Sequence, residues 1–345
     1  MKDGIDPGRH PVVGLLVARE PFIFWGPGTP GERVGPASVL APHIGNRRAW
    51  FLIRLAWNRE RDDVVADDVA ALEALRARYP EHRHIMLCNT QRELELYRTR
   101  NIPGIVCSTL AFVDETIFDL APATPKQFDA IYTAALVPFK RHALCRDLSS
   151  LALIYHRYHP PGMQEPGYPE RVRAMLPQAI FVNELDDDFR MLPPHEVATW
   201  INRARVGLCL SEAEGAMRAA AEYMLCGLPV VSTRSIGGRD RILDPDFSRV
   251  AAPEPGAVAA AVRALIDRAI DPRFIRARTF ERLRPDRMRL LQLIATIHAE
   301  EGVAFPTDAL WTQLFRRGTW PTASITDALA NPAIAELPAG KDGSG

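Results

Sequence analysis

Two carboxylates and one lysine have the residue types and the spacing expected of a ligand-binding or catalytic site. Glu214 and Glu222 stand eight positions apart in the segment EGAMRAAAE, between the apolar runs VGLCLS and PVVST. A carboxylate accepts hydrogen bonds through two oxygens, so it suits a ligand with neighbouring hydroxyl groups, as in a sugar ring. Lys140, in ALVPFKRHAL, is one of only four lysines in a chain that otherwise uses arginine. Its compact ammonium suits a phosphate group.

A strand and a helix are predicted to position the two carboxylates. The apolar run 206–211 predicts a buried strand that ends shortly before Glu214, and 216–226 predicts the helix that contains Glu222. Gly227 is predicted to end this helix as its C′ residue. The predicted start of the helix would leave backbone amides free to bind an anion, namely those of Gly215, Ala216 and Met217.

The second half of the chain predicts strands that alternate with helices. Such an alternation of short apolar strands with helices of about ten residues indicates βαβ units and a parallel sheet covered on both faces. Ligands of open α/β sheets bind outside the carboxyl ends of the strands. Lys140 follows the first of these strands, so we predict that it lies at the same edge as Glu214. The further strands are predicted at 129–136, 151–156, 179–183 and 229–233, and helices at 194–204 and 254–269.

The first 125 residues predict a second α/β unit. The segment 19–45 is so rich in proline and glycine that no regular structure is predicted for it. His82 and His84 share one face of a predicted strand, and we favour a structural role for them because no third metal ligand is evident. The strands of this half are predicted at 11–18, 49–55, 82–88 and 104–108, and its helices at 67–79 and 91–100.

Composition excludes several classes of protein. The 345 residues carry 42 basic and 42 acidic side chains without a basic block, which argues against a nucleic-acid partner. No apolar run reaches the about 18 residues of a membrane span, so we expect a cytoplasmic protein, with peripheral contact at the inner membrane face left open. The five scattered cysteines lack a CxxC motif and predict free thiols. The missing GxSxG and P-loop motifs argue against a hydrolase and a kinase of those types.

Three segments carry a resemblance to a known family. EGAMRAAAE has an E-x7-E spacing, and with the following EYMLCGLPVVSTRSIGGRD it resembles the donor-binding domain of retaining GT-B glycosyltransferases of the family-4, or glycosyltransferase group 1, type. TAALVPFKRHAL is similar to the segment in which that family's lysine meets the donor diphosphate, and 88–118 resembles the end of their N-terminal domain. The resemblance covers about residues 85 to 270 and is poor over the first 80.

The resemblance implies an α/β protein of the GT-B fold, in which two Rossmann-like domains face each other across a cleft. Residues 1–125 would form an N-terminal, acceptor-side Rossmann-like domain, and 126–272 would form the C-terminal domain that binds the nucleotide-sugar donor. Residues 273–345 would be C-terminal helices that cross back to the N-terminal domain and end in a frayed tail.

The resemblance also implies roles for the residues singled out above. Glu222 would hold the ribose hydroxyls of the nucleotide, Glu214 the hydroxyls of the donated sugar, and Lys140 the diphosphate as it departs. Glu214 and Lys140 are therefore the predicted catalytic residues. The backbone of Gly215, Ala216 and Met217 would assist donor binding.

The sequence departs from the family at one cationic position. Many relatives carry an arginine five residues before the lysine, and here that position is Ala135. The candidates for a second cation are Arg141, Arg218 and Arg239. His43 is a candidate for contact with the acceptor.

The implied function is transfer of a hexose-type sugar, with retention of configuration, from a UDP- or GDP-linked donor to a hydroxyl acceptor. The acceptor would be a glycan, a lipid-linked molecule or another hydroxyl compound in polysaccharide or glycoconjugate assembly. Neither a cofactor nor a metal is implied, because the nucleotide sugar is a substrate and protein cations would replace the metal. Two alternatives stay open: a non-catalytic nucleotide-sugar-binding GT-B-like protein, and a GT-B isomerase that acts on the nucleotide sugar itself. The donor base and sugar, the linkage and the oligomeric state are not determined by the sequence.

Overall fold

The computed structural model describes residues 12–28, 33–156, 165–184, 189–305, 307–316 and 322–323. The chain divides into two compact units. Unit 1 comprises Met1–Ser108 with Asp286–Gly345, and unit 2 comprises Thr109–Pro285.

Unit 1 is built on a five-stranded sheet in the order β2-β3-β4-β5-β6. β2 runs antiparallel to β3, and the other neighbouring strands are parallel. Its elements up to the boundary with unit 2 are β1 (Val12–Val13), β2 (Leu15–Arg19), β3 (Phe22–Gly28), α1 (Pro36–Ile44), β4 (Ala49–Leu55), α2 (Asp62–Arg78), β5 (His82–Cys88), α3 (Gln91–Arg98) and β6 (Gly104–Val106).

The prediction that segment 19–45 lacks regular structure is wrong, because it contains β3 and α1. β3 is apolar and largely buried, and it pairs with β4 from Ile23 to Gly28. Pro36 stands in the first turn of α1. A proline is tolerated there because the N–H that it lacks would have no acceptor within the helix. Proline and glycine therefore mark the ends of these elements, and the pairing of β3 with β4 decides what lies between them.

Unit 2 is built on a six-stranded, fully parallel sheet in the order β12-β11-β10-β7-β8-β9. Helices cover it and enclose one large apolar core, in which the side chains of β10 from Val206 to Cys209 are fully buried. Its elements are β7 (Phe128–Thr133), β8 (Leu151–Ile154), α4 (Tyr168–Met175), β9 (Ala179–Phe181), α5 (Pro194–Asn202), β10 (Ala204–Cys209), α6 (Arg218–Leu225), β11 (Val230–Thr233), β12 (Ser248–Ala251) and α7 (Pro255–Asp267).

The long helix α8 (Pro272–Glu300) begins in unit 2 and ends in unit 1, and α9 (Thr307–Phe315) and β13 (Thr322–Ala323) follow it. β13 pairs antiparallel with β1. None of the helices in the described ranges is long and apolar enough to cross a membrane. The predicted frayed tail, residues 324–345, lies outside the described residues.

Along the sequence, the boundaries between the two units differ from the predicted domain limits of 125 and 272. Leu110, Val113 and Phe118 already belong to the core of unit 2. The guanidinium of Arg276 on α8 donates hydrogen bonds of 2.7 and 2.6 Å to the carbonyl oxygens of Glu115 and Phe118. The segment from 109 therefore packs with unit 2, and the functional domain limits of 125 and 272 stay a prediction.

Gly227 ends α6 in the predicted manner. Its φ of 77° lies in the left-handed region, and its N–H donates to the carbonyl of Met224 at 3.0 Å. The N–H of Leu228 donates to the carbonyl of Tyr223 at 3.0 Å, which completes a Schellman motif. A Cβ at Gly227 would lie 2.5 Å from Cβ of Pro272, so both the conformation and the space require glycine.

We expect Gly227→Ala to lower the free energy of unfolding by about 2–5 kcal/mol in urea titrations. The left-handed conformation accounts for about 1–2 kcal/mol and the overpacking for about 1–3 kcal/mol. The matched control is Gly256→Ala in α7, where the new Cβ would meet only Asp147 Oδ2 at 3.8 Å. Alanine favours the helix there, so the control should be neutral or stabilising by up to about 1 kcal/mol. Equal stabilities of the two variants would contradict the requirement for glycine at position 227.

His84 on β5 has a structural role within an aromatic cluster. Its ring stacks on Phe51 with 5.5 Å between the ring centroids and 12° between the planes. Neither ring nitrogen has a hydrogen-bond partner among the described residues. Burial lowers the pKa of His84 to about 3, and the charges of Arg76 and His82 act in the same direction. The described residues contain no group of three or more side chains that could hold a metal ion.

His84 should make the protein sensitive to acid, and His84→Phe should reduce that sensitivity. The unfolded chain protonates this histidine near pH 6.5, whereas the folded chain does so only near pH 3. Its contribution to stability is therefore complete above about pH 6.5 and is lost at up to about 1.4 kcal/mol per pH unit below it. Urea titrations at pH 7, 6 and 5 should show a smaller loss in His84→Phe, which keeps a ring against Phe51.

The control for this experiment is His195→Gln, because His195 is exposed. It should leave the pH dependence of the unfolding free energy as in the wild type. Some acid sensitivity should persist in His84→Phe, since burial also lowers the pKa of His142 to about 3. An unaltered pH dependence in His84→Phe would refute the assignment.

Candidate functional site

Two neighbouring strands of unit 2 bring Lys140 and Glu214 into contact. β7 and β10 are paired in parallel, with Ala130 opposite Val206, so the chain leaves both strands at the same edge of the sheet. Lys140 is the last residue of the 3₁₀ helix Pro138–Lys140 after β7, and Glu214 follows β10. Nζ of Lys140 forms an ion pair with Oε1 of Glu214. The two side chains are only 13% and 7% exposed, so this pair is largely shielded from water.

Buried groups hold the loop of Lys140 in place. The hydroxyl of Tyr132, a fully buried residue of β7, donates to the carbonyl of Lys140 at 2.6 Å. The N–H of Glu212 donates to the carbonyl of Phe139 at 3.0 Å and so joins the loops that follow β7 and β10. Nζ of Lys140 lies 5.1 Å from the ring centroid of Phe139, within range of a cation–π contact.

The segment of Glu214 is extended because it pairs with the loop after β11. Ala213 and Ile236 form a parallel bridge, and the N–H of Glu214 donates to the carbonyl of Ile236 at 2.9 Å. The N–H of Gly238 donates to the carbonyl of Gly215 at 2.8 Å. These contacts delay the helix, so α6 begins at Arg218 and the predicted start at about 216 is wrong.

The later start of α6 leaves three amides in front of the helix. The N–H groups of Gly215, Ala216 and Met217 donate to no acceptor in the part of the chain that the structure describes. Met217 is the N-cap of α6, and its side chain accepts no capping hydrogen bond. Unpaired amides at a helix start, close to an ammonium group, favour an anionic ligand.

Glu222 lies on α6, and its only ion-pair partner among the described residues is Arg218. Nε of Arg218 lies 3.8 Å from Oε1 of Glu222, which is too long for a hydrogen bond. Burial raises the pKa of Glu222, and the charge of Arg218 partly opposes this shift. This carboxylate therefore retains unused capacity to accept hydrogen bonds from a ligand.

Packing on β10 sets the position of α6. A Cβ at Gly207 would lie 2.3 Å from Cδ2 of Tyr223, so only a glycine lets the helix approach the strand this closely. The hydroxyl of Tyr223 accepts a hydrogen bond of 2.6 Å from the N–H of Thr133 at the end of β7. Sequence reasoning missed Gly207, Tyr132 and Tyr223, because in an apolar strand or helix they resemble ordinary core residues.

Two of the three candidate cations bind backbone oxygens at the ends of β10 and β11. Arg141 donates from Nε to the carbonyl of Leu210 at 2.7 Å and from Nη2 to Oγ1 of Thr233 at 2.8 Å. Arg239 is fully buried and donates to the carbonyls of Ser211, at 2.9 Å, and Thr233. Their donor-binding role stays a prediction, and Arg218 is the candidate whose partner is a predicted site carboxylate.

The remaining candidate, His43, lies in the other unit. It is an exposed residue in the last turn of α1. Ala135, where the family carries an arginine, is buried in the loop between β7 and Lys140.

The five cysteines are free and buried, which confirms the prediction of free thiols.

A family model described as "Glycosyl transferases group 1" matches residues 165–268. This segment is therefore similar to the group 1 glycosyl transferases. It contains the whole of α6 with Glu214 and Glu222, whereas Lys140 precedes it. The comparison with curated proteins gives no match.

The fold of this chain is similar to that of several solved glycosyltransferases with the GT-B fold. Sucrose-phosphate synthase from Thermosynechococcus elongatus is 13% identical with a TM-score of 0.52, and the match covers 72% of this chain and 68% of that one. Anabaena HepE in complex with UDP is 12% identical with a TM-score of 0.51, covering 78% and 85%. A UDP-forming trehalose-phosphate synthase from Burkholderia xenovorans, in complex with glucose-6-phosphate, is 13% identical with a TM-score of 0.52, covering 76% and 70%. At these identities the likeness shows the fold alone, and the chain has the α/β GT-B fold.

Proposed function

We propose that this protein is a retaining glycosyltransferase that moves a sugar from a UDP- or GDP-linked donor to a hydroxyl acceptor. The observation that carries the proposal is the ion pair of Lys140 and Glu214 at the carboxyl edge of the unit 2 sheet. The family of residues 165–268 supports sugar transfer. Two structures with the same fold, HepE in complex with UDP and the UDP-forming trehalose-phosphate synthase, support a nucleoside diphosphate as the leaving group.

The diphosphate would bind where positive groups converge. Lys140 supplies an ammonium, and the N–H groups of Gly215, Ala216 and Met217 supply donors that no described residue uses. Arg218, in the first turn of α6, is the proposed second cation in place of the missing arginine at Ala135. Amides and cations that are already fixed in position need no reorganisation when charge develops on the leaving group.

The carboxylates would bind the hydroxyl groups of the donor. Glu222 would accept hydrogen bonds from the ribose, since its oxygens are not engaged in hydrogen bonds with described residues. Glu214 would accept hydrogen bonds from the transferred sugar. A buried carboxylate that loses a cationic partner needs such donors, so the sugar is recognised through its hydroxyls.

Charge flow in the reaction suits this arrangement. Breaking the anomeric C–O bond places negative charge on the diphosphate and positive charge on the sugar ring. Lys140 would stabilise the first charge and Glu214 the second, and both interactions strengthen in the transition state. The acceptor oxygen would bond to the anomeric carbon from the leaving-group face, and its proton would pass to the departing diphosphate.

The acceptor would be a glycan, a lipid-linked molecule or another hydroxyl compound in polysaccharide or glycoconjugate assembly. We assign donor binding to residues 126–272 and acceptor binding to residues 1–125, with His43 as a candidate contact. Because Lys140 provides the charge that a metal would otherwise supply, we propose that transfer needs no metal ion.

We expect Lys140→Ala and Glu214→Ala each to lower the rate of donor consumption by about 100-fold or more, which is the usual effect of removing one electrostatic contact to a transition state. Donor consumption would be followed after a thermal-shift screen of UDP- and GDP-sugars has identified a donor. Circular dichroism should show native folds for both variants. Full activity in either variant would end the assignment.

The acceptor dependence of the same assay separates the alternatives. A transferase consumes donor faster when its acceptor is added, whereas an isomerase converts the nucleotide sugar without one. Tight donor binding in calorimetry with no product from any acceptor would indicate a non-catalytic binding protein.

Metal independence has its own test. After treatment of the protein with EDTA and its removal by dialysis, donor consumption should equal that of the untreated protein. The reason is that Lys140 and the amides in front of α6 are expected to neutralise the diphosphate. Loss of activity that is restored by Mg²⁺ or Mn²⁺ would show that this part of the proposal is wrong.

A further inference from the structure

Glu214 and a diphosphate would require the same ammonium group. Oε1 of Glu214 is the only hydrogen-bond acceptor of Lys140 Nζ among the residues that the structure describes. An anion that binds Lys140 must also approach the carboxylate of Glu214, which is only 7% exposed. Water screens such a shielded charge weakly, so the carboxylate repels the anion and competes with it for the ammonium.

No neighbouring arginine is placed to take over as the partner of Glu214. The guanidinium groups of Arg141 and Arg239 are bound to the carbonyl oxygens of Leu210, Ser211 and Thr233. The side chain of Arg218 lies beside Glu222. If Lys140 turns to a diphosphate, Glu214 is left as a shielded carboxylate without a counter-ion, which is costly.

Sugar hydroxyls would remove this cost, and a diphosphate without a sugar would not. We propose that Glu214 distinguishes the intact nucleotide sugar from the free nucleoside diphosphate by competing with the diphosphate for Lys140. The inference rests on the proposed function and adds a specificity role to it. With the intact donor, sugar hydroxyls replace Lys140 as hydrogen-bond donors to Glu214. Once the sugar is transferred, Glu214 regains Lys140 and weakens the binding of the diphosphate product.

The test measures binding of inorganic pyrophosphate, UDP and GDP by isothermal titration calorimetry. We expect Glu214→Gln to bind pyrophosphate, and whichever nucleoside diphosphate the wild type binds, about tenfold more tightly, as for loss of one close charge contact. Glutamine keeps a hydrogen-bond acceptor near Lys140 but carries no charge. Thermal unfolding would establish that the variant is folded. Should it fail to fold, Glu214→Asp, whose shorter side chain reaches Lys140 less well, should still bind pyrophosphate more tightly than the wild type.

Two controls separate competition from a general change in charge. Glu212→Gln removes one negative charge two positions away on an exposed side chain, and its affinity for pyrophosphate should stay within about twofold of the wild type. In the double variant Lys140→Ala/Glu214→Gln, the gain should disappear, because no ammonium is left to be released. The comparison of single and double variants isolates the coupling between the two residues.

The outcomes decide the inference in either direction. Tighter binding in Glu214→Gln that depends on Lys140 supports it. Unchanged or weaker binding, the same gain in Glu212→Gln, or a gain that persists in the double variant would overturn it. Pyrophosphate carries neither base nor sugar, so this result stands apart from donor consumption. A protein that shows the gain but consumes no donor would refute the transferase and leave the competition intact.

Discussion

The parallel pairing of β7 with β10 is the constraint on which the rest of the site depends. It places the chain ends after both strands at one edge of the sheet, and so brings together Lys140 and Glu214, which are 74 positions apart in sequence. Neither loop is held by the ion pair alone. Tyr132 holds the loop of Lys140, and the bridge of Ala213 with Ile236 holds the loop of Glu214. The strands and these backbone contacts therefore position Lys140 and Glu214, and the ion pair forms between side chains that are already close.

A shielded ion pair is a weak source of stability and a costly one to break. Desolvation of both charges offsets most of their attraction, and removal of one partner leaves the other uncompensated. The proposed exchange of partners with a ligand would account for such a pair at the carboxyl edge of a parallel sheet. The buried Arg239 has a different role from Lys140. Its guanidinium donates to the carbonyl oxygens of Ser211 and Thr233, where β10 and β11 end. The positive charge of Arg239 therefore lies near the site but does not compete with Lys140 for Glu214.

Periodicity predicted most of the elements of both units because parallel strands are apolar on both faces and amphipathic helices separate them. β4 and β5 were predicted with the limits that they have in the structure. β3 and α1 were missed, since their prolines and glycines stand at element ends that the pattern alone cannot separate from loops. The residues from Leu110 to Phe118 pack into the core of unit 2, and this depends on contacts with α8 more than 150 positions later.

The sequence by itself determined which chemical groups are present and how they are spaced locally. The sequence alone identifies the two glutamates and the glycine that ends α6, because each depends on a single short segment. It also shows directly that lysine is scarce. Only the tertiary structure decided that Lys140 bonds to Glu214, that α6 begins at Arg218 and that Arg239 is buried. These facts arise from strand pairing and from backbone hydrogen bonds between distant segments. A local pattern carries no information about such pairings.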